Sequence, residues 1–222
     1  MSAVDVTIVV LALPSIAQDL GSGLGPVVWV ILSYSLVISS LTTQLGRLGD
    51  AFGRGFMYNL GLIIFSLGSL LCGLSTSGSM LIASRVVQGI GASMIQANSG
   101  AVIADHFESW ERGRAFGYTA LGWSMGAIVG ILLGGLVVTY AGWRYIFLIN
   151  VPIGLVLSVL GLRVIKSRRG TPGCFDIPGA SILFFLLLLV SIASYRSIFE
   201  GLSQSVSILA ATGLLLLALF IL

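Results

Sequence analysis

Charge is what this sequence has least of. Eleven Lys and Arg with eight Asp and Glu amount to 9% of 222 residues, against about 25% in an ordinary soluble domain. A water-soluble fold cannot accommodate that deficit when 57% of the chain is hydrophobic and mean hydropathy is +1.08. Histidine is nearly missing too: His106 stands alone, so no Ser–His or His–metal constellation can be assembled. Two cysteines, Cys72 in an apolar stretch and Cys174 in a polar one, make no disulfide framework and no zinc or haem spacing. A GxxxxGK[ST] phosphate loop is also lacking, and no basic region precedes the first apolar segment as it would in a signal peptide. These gaps argue against an enzyme, a metalloprotein or a nucleotide-binding module. A net charge of +3 then reads as sidedness of loops, not as affinity for nucleic acid.

What is present is a succession of apolar runs of about 20 residues, each long enough to cross a hydrocarbon layer about 30 Å thick. The runs predict an all-α polytopic membrane protein with about eight spans, near 1–18, 27–46, 56–75, 80–104, 115–140, 145–163, 178–196 and 205–222. Residues 1–165 form a six-helix unit, 166–177 a polar linker (KSRRGTPGCFDI), and 178–222 two additional helices. Basic residues near span ends set the orientation. Arg47, Arg54, Arg112, Arg114, Arg163, Lys166, Arg168 and Arg169 share one side, and only Arg144 and Arg196 take the other. Eight against two puts 46–55, 105–114 and 166–177 in the cytoplasm. The first span starts almost at Met1 and the last runs to Leu222 without a stop signal, so a fragment of a longer chain is expected.

Polar residues inside such spans are expensive and therefore informative. Asp5, in VDVTIVVLALP, is a proton-binding candidate; the bland alternative is a carboxylate solvated at the interface. Arg85, in LIASRVVQGIGASM, is the stronger candidate, because a buried guanidinium needs an anion or a water-filled cavity. The bland alternative there is snorkelling to the nearer surface. Gln88, Gln96 and Asn98 lie farther along the same predicted helix. In the fifth span Gly122, Gly126, Gly130 and Gly134 recur every four residues and predict a seam for close helix packing. In GRLGDAFGRG, residues 46–55, Asp50 and Arg54 are spaced to pair or to cap helix ends. His106 reads as a surface residue in a mixed-charge loop.

Together these strings resemble the major facilitator superfamily, in its branch of fourteen-span drug:proton antiporters. LGRLGDAFGRG is similar to the loop signature after the second span at Gly46, Asp50, Gly53 and Arg54. LIASRVVQGIGAS is similar to the fourth-span signature at Arg85, Gln88, Gly89, Gly91 and Ala92. The fifth-span antiporter pattern is met at Gly117, Gly126, Gly130, Gly134 and Gly135, and the first-span pattern at Asp5, Thr7, Ala12, Leu13 and Pro14. ERGRAFG and WRYIFLINVPIG complete the resemblance over residues 4–154. Ile131 replaces the antiporter proline, Ala51 and Gly55 replace basic residues of the loop, and Val10 replaces an asparagine.

The resemblance implies alternating access by two rocking bundles, driven by the proton gradient with no other cofactor. It implies a small amphipathic or drug-like substrate, a substrate cavity lined by Gln88, Gln96 and Asn98, proton coupling at Asp5 and Arg85, and a plasma-membrane location in contact with the lipid bilayer. The cytoplasmic gate of Gly46, Asp50, Gly53 and Arg54 would close against a C-terminal half that these 222 residues do not contain. The rival expectation is a non-transporting, half-size membrane remnant that acts as a scaffold or dimerising partner.

Overall fold

The computed structural model describes residues 2–165, 177–199, 209, 212 and 213. Eight helices follow in chain order: α1 (Ser2–Asp19), α2 (Leu24–Phe52), α3 (Arg54–Gly73), α4 (Gly78–His106), α5 (Arg112–Tyr140), α6 (Arg144–Leu148), α7 (Asn150–Val164) and α8 (Ile177–Phe199). No strand occurs among the described residues. Among the described residues, four stretches are long and apolar enough to cross a membrane: 25–52, 54–73, 112–140 and 144–164. The helix α4 falls outside that set because Arg85, Gln88, Gln96 and Asn98 interrupt its apolar surface. The linker at 166–176, with Cys174, lies outside the described residues, as does almost all of the expected span at 205–222.

Two boundaries differ from the expectation, each for a local reason. The turn expected over 46–55 shrinks to one residue: α2 continues through Asp50 to Phe52, and only Gly53 leaves the helix. Gly53 adopts φ 108°, ψ 122°, while its N–H still donates to the Gly49 carbonyl at 2.9 Å. That φ suits glycine because an L side chain would clash with the backbone there. Gly53→Ala is therefore expected to cost about 1–2 kcal/mol, read as a lower melting temperature in detergent with helix content unchanged. The sixth span is also divided. α6 stops at Leu148, Ile149 intervenes, and α7 begins at Asn150. Pro152 cannot supply the N–H that the Leu148 carbonyl would otherwise accept.

Elsewhere the helices obey ordinary rules. Ser77 caps α4 by accepting the Met80 N–H at 3.3 Å. Intramembrane hydroxyls turn back on their own helices: Ser40 donates to the Leu36 carbonyl and Ser66 to the Leu62 carbonyl, both at 2.7 Å. The centre of the bundle is α4, held between α2 and α3. Alpha-carbon-only positions make the α3–α4 contact close. A β-carbon on Gly91 would fall 2.3 Å from the Phe65 nitrogen, and one on Gly68 would fall 2.5 Å from the Gln88 Cα. Ile8, Val9, Ala12 and Ile16 of α1 bury against Val27, Val30, Leu81, Ile146 and Phe147. α8 lies on α2, where Tyr195 meets Trp29 at a ring separation of 5.8 Å.

The glycine row of α5 is used unevenly. Gly130 and Gly134 are buried, and a β-carbon on Gly134 would come 2.7 Å from the Ile8 side chain. Gly117, Gly122 and Gly135 face open space. Ile131 leaves α5 an unbroken helix of 29 residues.

Candidate functional site

The site is a buried ion pair in a shell of neutral groups. Asp5, near the start of α1, and Arg85, in the second turn of α4, are 2% and 0% exposed. One Arg85 guanidinium nitrogen lies 2.5 Å from Asp5 Oδ2 and also donates to Gln88 Oε1 at 2.6 Å. Arg85 Nε donates to the Val30 carbonyl of α2 at 3.0 Å. The Tyr34 ring lies under the guanidinium at 4.0 Å, and Phe147 of α6 faces it at 5.6 Å. Its second terminal nitrogen, Nη2, has no hydrogen-bond partner among the described residues. The other carboxylate oxygen, Oδ1, accepts from Gln88 Nε2 at 2.9 Å and from Asn150 Nδ2 at 3.2 Å. Gln88 also donates to Ser69 Oγ of α3 at 2.7 Å.

Five helices thus converge on one carboxylate and one guanidinium. Removing either charge leaves the other desolvated, at a cost of several kcal/mol. Arg85 does not snorkel; no part of it reaches the surface.

The three residues assigned to a common cavity do not share one. Gln88 belongs to the ion-pair shell. Asn98 is buried between α4 and α2; its Nδ2 donates to the Met94 carbonyl at 2.8 Å and the Leu45 carbonyl at 3.4 Å. Its Oδ1 occupies the space where a Gly49 β-carbon would lie. Only Gln96 is exposed, and it lines a cavity of about 370 Å³ with Tyr58, Leu62, Ser99, Trp123 and Leu157. Helical periodicity explains the separation, because residues 88, 96 and 98 point in different directions around α4.

At the end of α2, Arg54 Nε donates to Asp50 Oδ1 at 2.8 Å, and Arg54 Nη1 donates to Asp105 Oδ1 of α4 at 3.0 Å. A β-carbon on Gly46 would lie 3.8 Å from the Ala97 β-carbon, an ordinary van der Waals contact. His106 is exposed, its Nδ1 2.9 Å from the Val102 carbonyl. At the opposite end, Asp19 accepts from Arg144 Nη1 at 2.7 Å and from Trp143 Nε1 at 3.1 Å.

Sequence reasoning missed Asn150, Ser69, Asp105 and Asp19. The rule that singled out Arg85 would have found Asn150, a polar residue within FLINVPIG. Ser69 gave no signal, since serines are scattered through all of these helices.

Comparison with known proteins decides the family. The model of the Major Facilitator Superfamily matches residues 1–222. The chain belongs to the major facilitator superfamily. It is 34% identical over 198 residues to the riboflavin transporter RibZ of Clostridioides difficile (strain 630), covering 87% of this chain and 43% of that protein. It is 35% identical over 217 residues to the methylenomycin A resistance protein of Bacillus subtilis (strain 168), covering 97% and 47%. The putative multidrug resistance protein MdtD of Escherichia fergusonii matches at 32% over 223 residues, covering 100% of this chain and 47% of MdtD. Among solved structures, a peptide transporter POT in complex with sulfate superposes with a TM-score of 0.63 at 15% identity, covering 96% of this chain and 48% of that one. That likeness shows the fold. This major facilitator chain spans less than half the length of these relatives. It is a multi-pass membrane protein of a transporter family and not an enzyme.

Proposed function

We propose that this chain is the N-terminal portion of a proton-coupled exporter of drugs or other small amphipathic compounds, working by alternating access in the plasma membrane. The observation that carries the reading is the fully buried Asp5–Arg85 pair. Proton uptake by Asp5 cancels its charge and releases Arg85 from its anion. Gln88 and Asn150 then face a neutral carboxyl group, which receives one proton and returns the same proton when the cavity opens to the other side. A change in protonation thereby alters which helix arrangement is favoured, as alternation requires. Relatives named for methylenomycin and multidrug resistance support an amphipathic substrate.

In the same reading, 46–55, 105–114 and 166–177 are cytoplasmic. Asp50, Arg54 and Asp105 then form the inner gate, held within this half until the second bundle approaches. Gln96 and its cavity are accessible from that side.

The test is efflux of ethidium, as a probe lipophilic cation, from proteoliposomes bearing the full-length transporter. Asp5→Asn is expected to reduce uphill, pH-gradient-driven transport at least about tenfold, since a loss of 1.4 kcal/mol of coupling already accounts for that factor, while downhill exchange persists. Uphill transport by Asp5→Asn at the wild-type rate would refute the assignment.

A further inference from the structure

Asp19, Trp143 and Arg144 form a clasp on the bundle face opposite Gly53. Arg144 Nη1 and Trp143 Nε1 both donate to Asp19 Oδ2, at 2.7 and 3.1 Å. Arg144 Nη2 also donates to the Ser75 carbonyl at 3.3 Å, and its guanidinium lies 4.4 Å over the Trp143 ring. One cation therefore ties together the end of α1, the α3–α4 connection and the start of α6. Nothing in the proton-coupling reading requires this.

Its position relative to the buried pair gives it a task. α6 has only five residues, and the interruption at Ile149 separates it from α7. It carries Phe147, which faces Arg85 at 5.6 Å. Immediately after the interruption comes Asn150, which donates to Asp5 Oδ1 at 3.2 Å and reaches back to the Ile146 carbonyl at 3.5 Å. Pro152 removes one helical hydrogen bond from this junction, but Ile149 keeps φ −63°, ψ −27° and donates to the Tyr145 carbonyl at 3.0 Å, so α6 passes its orientation on to Asn150. Leu148 seats against Gly73 of α3, and at its other end α6 is held by the clasp. The clasp thus ties α1, which carries Asp5, to the short helix that delivers Asn150.

We infer that Asp19, Trp143 and Arg144 are positioning residues: they hold α6 so that Asn150 keeps its hydrogen bond to Asp5 and thereby set the pH at which Asp5 takes up its proton. This rests on the reading of Asp5 as the proton-binding group. Arg85 and Gln88 from α4 and Asn150 from α7 hydrogen-bond Asp5, Ser69 and the Cys72 thiol of α3 bond to Gln88 behind them, and Tyr34 of α2 stacks on Arg85. Arg85 carries the only permanent charge in that set. Hydrogen bonds from Arg144 first, and Trp143 second, hold the Asp19 carboxyl below the usual carboxylate range. A lowered value means the clasp is at full strength above the usual carboxylate range and opens only as pH falls below that range, through the depressed value, so the clasp remains charged near neutrality.

The experiment is infrared difference spectroscopy of the full-length protein in lipid while pH is stepped, following the protonated-carboxyl band abolished by Asp5→Asn. Arg144→Ala withdraws the support of a donor to the carboxylate, so the midpoint of that band is expected to move to higher pH. The shift should be about 0.5–1 pH unit, the worth of one hydrogen bond. Asn150→Ala should shift it equally, and the double variant should shift it no further. Exchanging the charges, Asp19→Arg with Arg144→Asp, should restore the midpoint. Trp143→Phe, which removes one donor and keeps the ring, should give a smaller shift in the same direction if Arg144→Ala does not fold. An Asp5-dependent band whose midpoint is unmoved in Arg144→Ala and Trp143→Phe overturns the clasp assignment alone. Absence of any band sensitive to Asp5→Asn overturns the proton-binding reading, and the clasp role with it.

Discussion

Arg85→Ala is expected to be the most damaging single charge removal in the protein, lowering stability by about 3–5 kcal/mol. Arg85 is wholly enclosed, and its loss strands Asp5 among Gln88, Asn150 and apolar side chains with no cation left. The site has two ways to relieve that state: Asp5 binds a proton permanently, or the helices part and admit water. Either removes the ionic state on which coupling depends. Lysine does not rescue the site. It lacks the fork that simultaneously meets Asp5, Gln88 and the Val30 carbonyl, and its compact ammonium stacks less well on Tyr34. The check is thermal unfolding in detergent followed by size-exclusion. Arg85→Ala should melt well below the wild type, and the neutral pair Arg85→Gln with Asp5→Asn should recover most of the loss while remaining uncoupled. If Arg85→Ala melts with the wild type, the pair is not energetically significant and the site has been misplaced.

The division between what could be read from the chain and what could not follows from physics. Intramembrane charges are so costly that Asp5 and Arg85 were visible as isolated exceptions in apolar runs, and each implied a partner. That they are one another's partner was not visible, since 80 residues separate them and pairing depends on how α1 packs on α4. Helix existence was legible from length and hydropathy, whereas the Gly53 corner was not, because charged residues outside a membrane extend a helix as readily as they end one. Gln88, Gln96 and Asn98 looked alike as polar residues on one helix. Their separate fates, in the ion-pair shell, a cavity wall and the α2 contact, were decided by the angle each takes around α4. Asp105 passed as one charge of the mixed-sign loop 105–114 and Asp19 drew no reading, because a surface carboxylate carries no mark of the arginine that will reach it.

Glycines give the sharpest contrast of this kind and the second large effect. Gly91 and Gly117 both match family signatures, yet opposite results are expected on enlarging them. A β-carbon on Gly91 meets Phe65 backbone atoms at 2.3 and 2.7 Å and the Gly61 carbonyl at 2.8 Å, while one on Gly117 meets nothing within 4 Å. Backbone cannot rotate aside as a side chain can, so Gly91→Val must separate α3 from α4. The cost expected from overpacking is about 1–3 kcal/mol or more, and here a membrane bundle has little hydrophobic drive to restore the contact. The damage also travels to the site. Gln88 lies one turn before Gly91 and abuts Gly68, where a β-carbon would come 2.5 Å from the Gln88 nitrogen. Parting these helices therefore draws Gln88 from Ser69, which it meets at 2.7 Å, and loosens its grip on Asp5. Gly117→Ala, by contrast, removes backbone freedom from an open helix position and should be neutral or stabilising by up to about 1 kcal/mol. Melting temperatures of both variants of this chain in one detergent decide the matter. Equal losses would mean that α3 and α4 do not cross as closely as Gly61, Gly68 and Gly91 require.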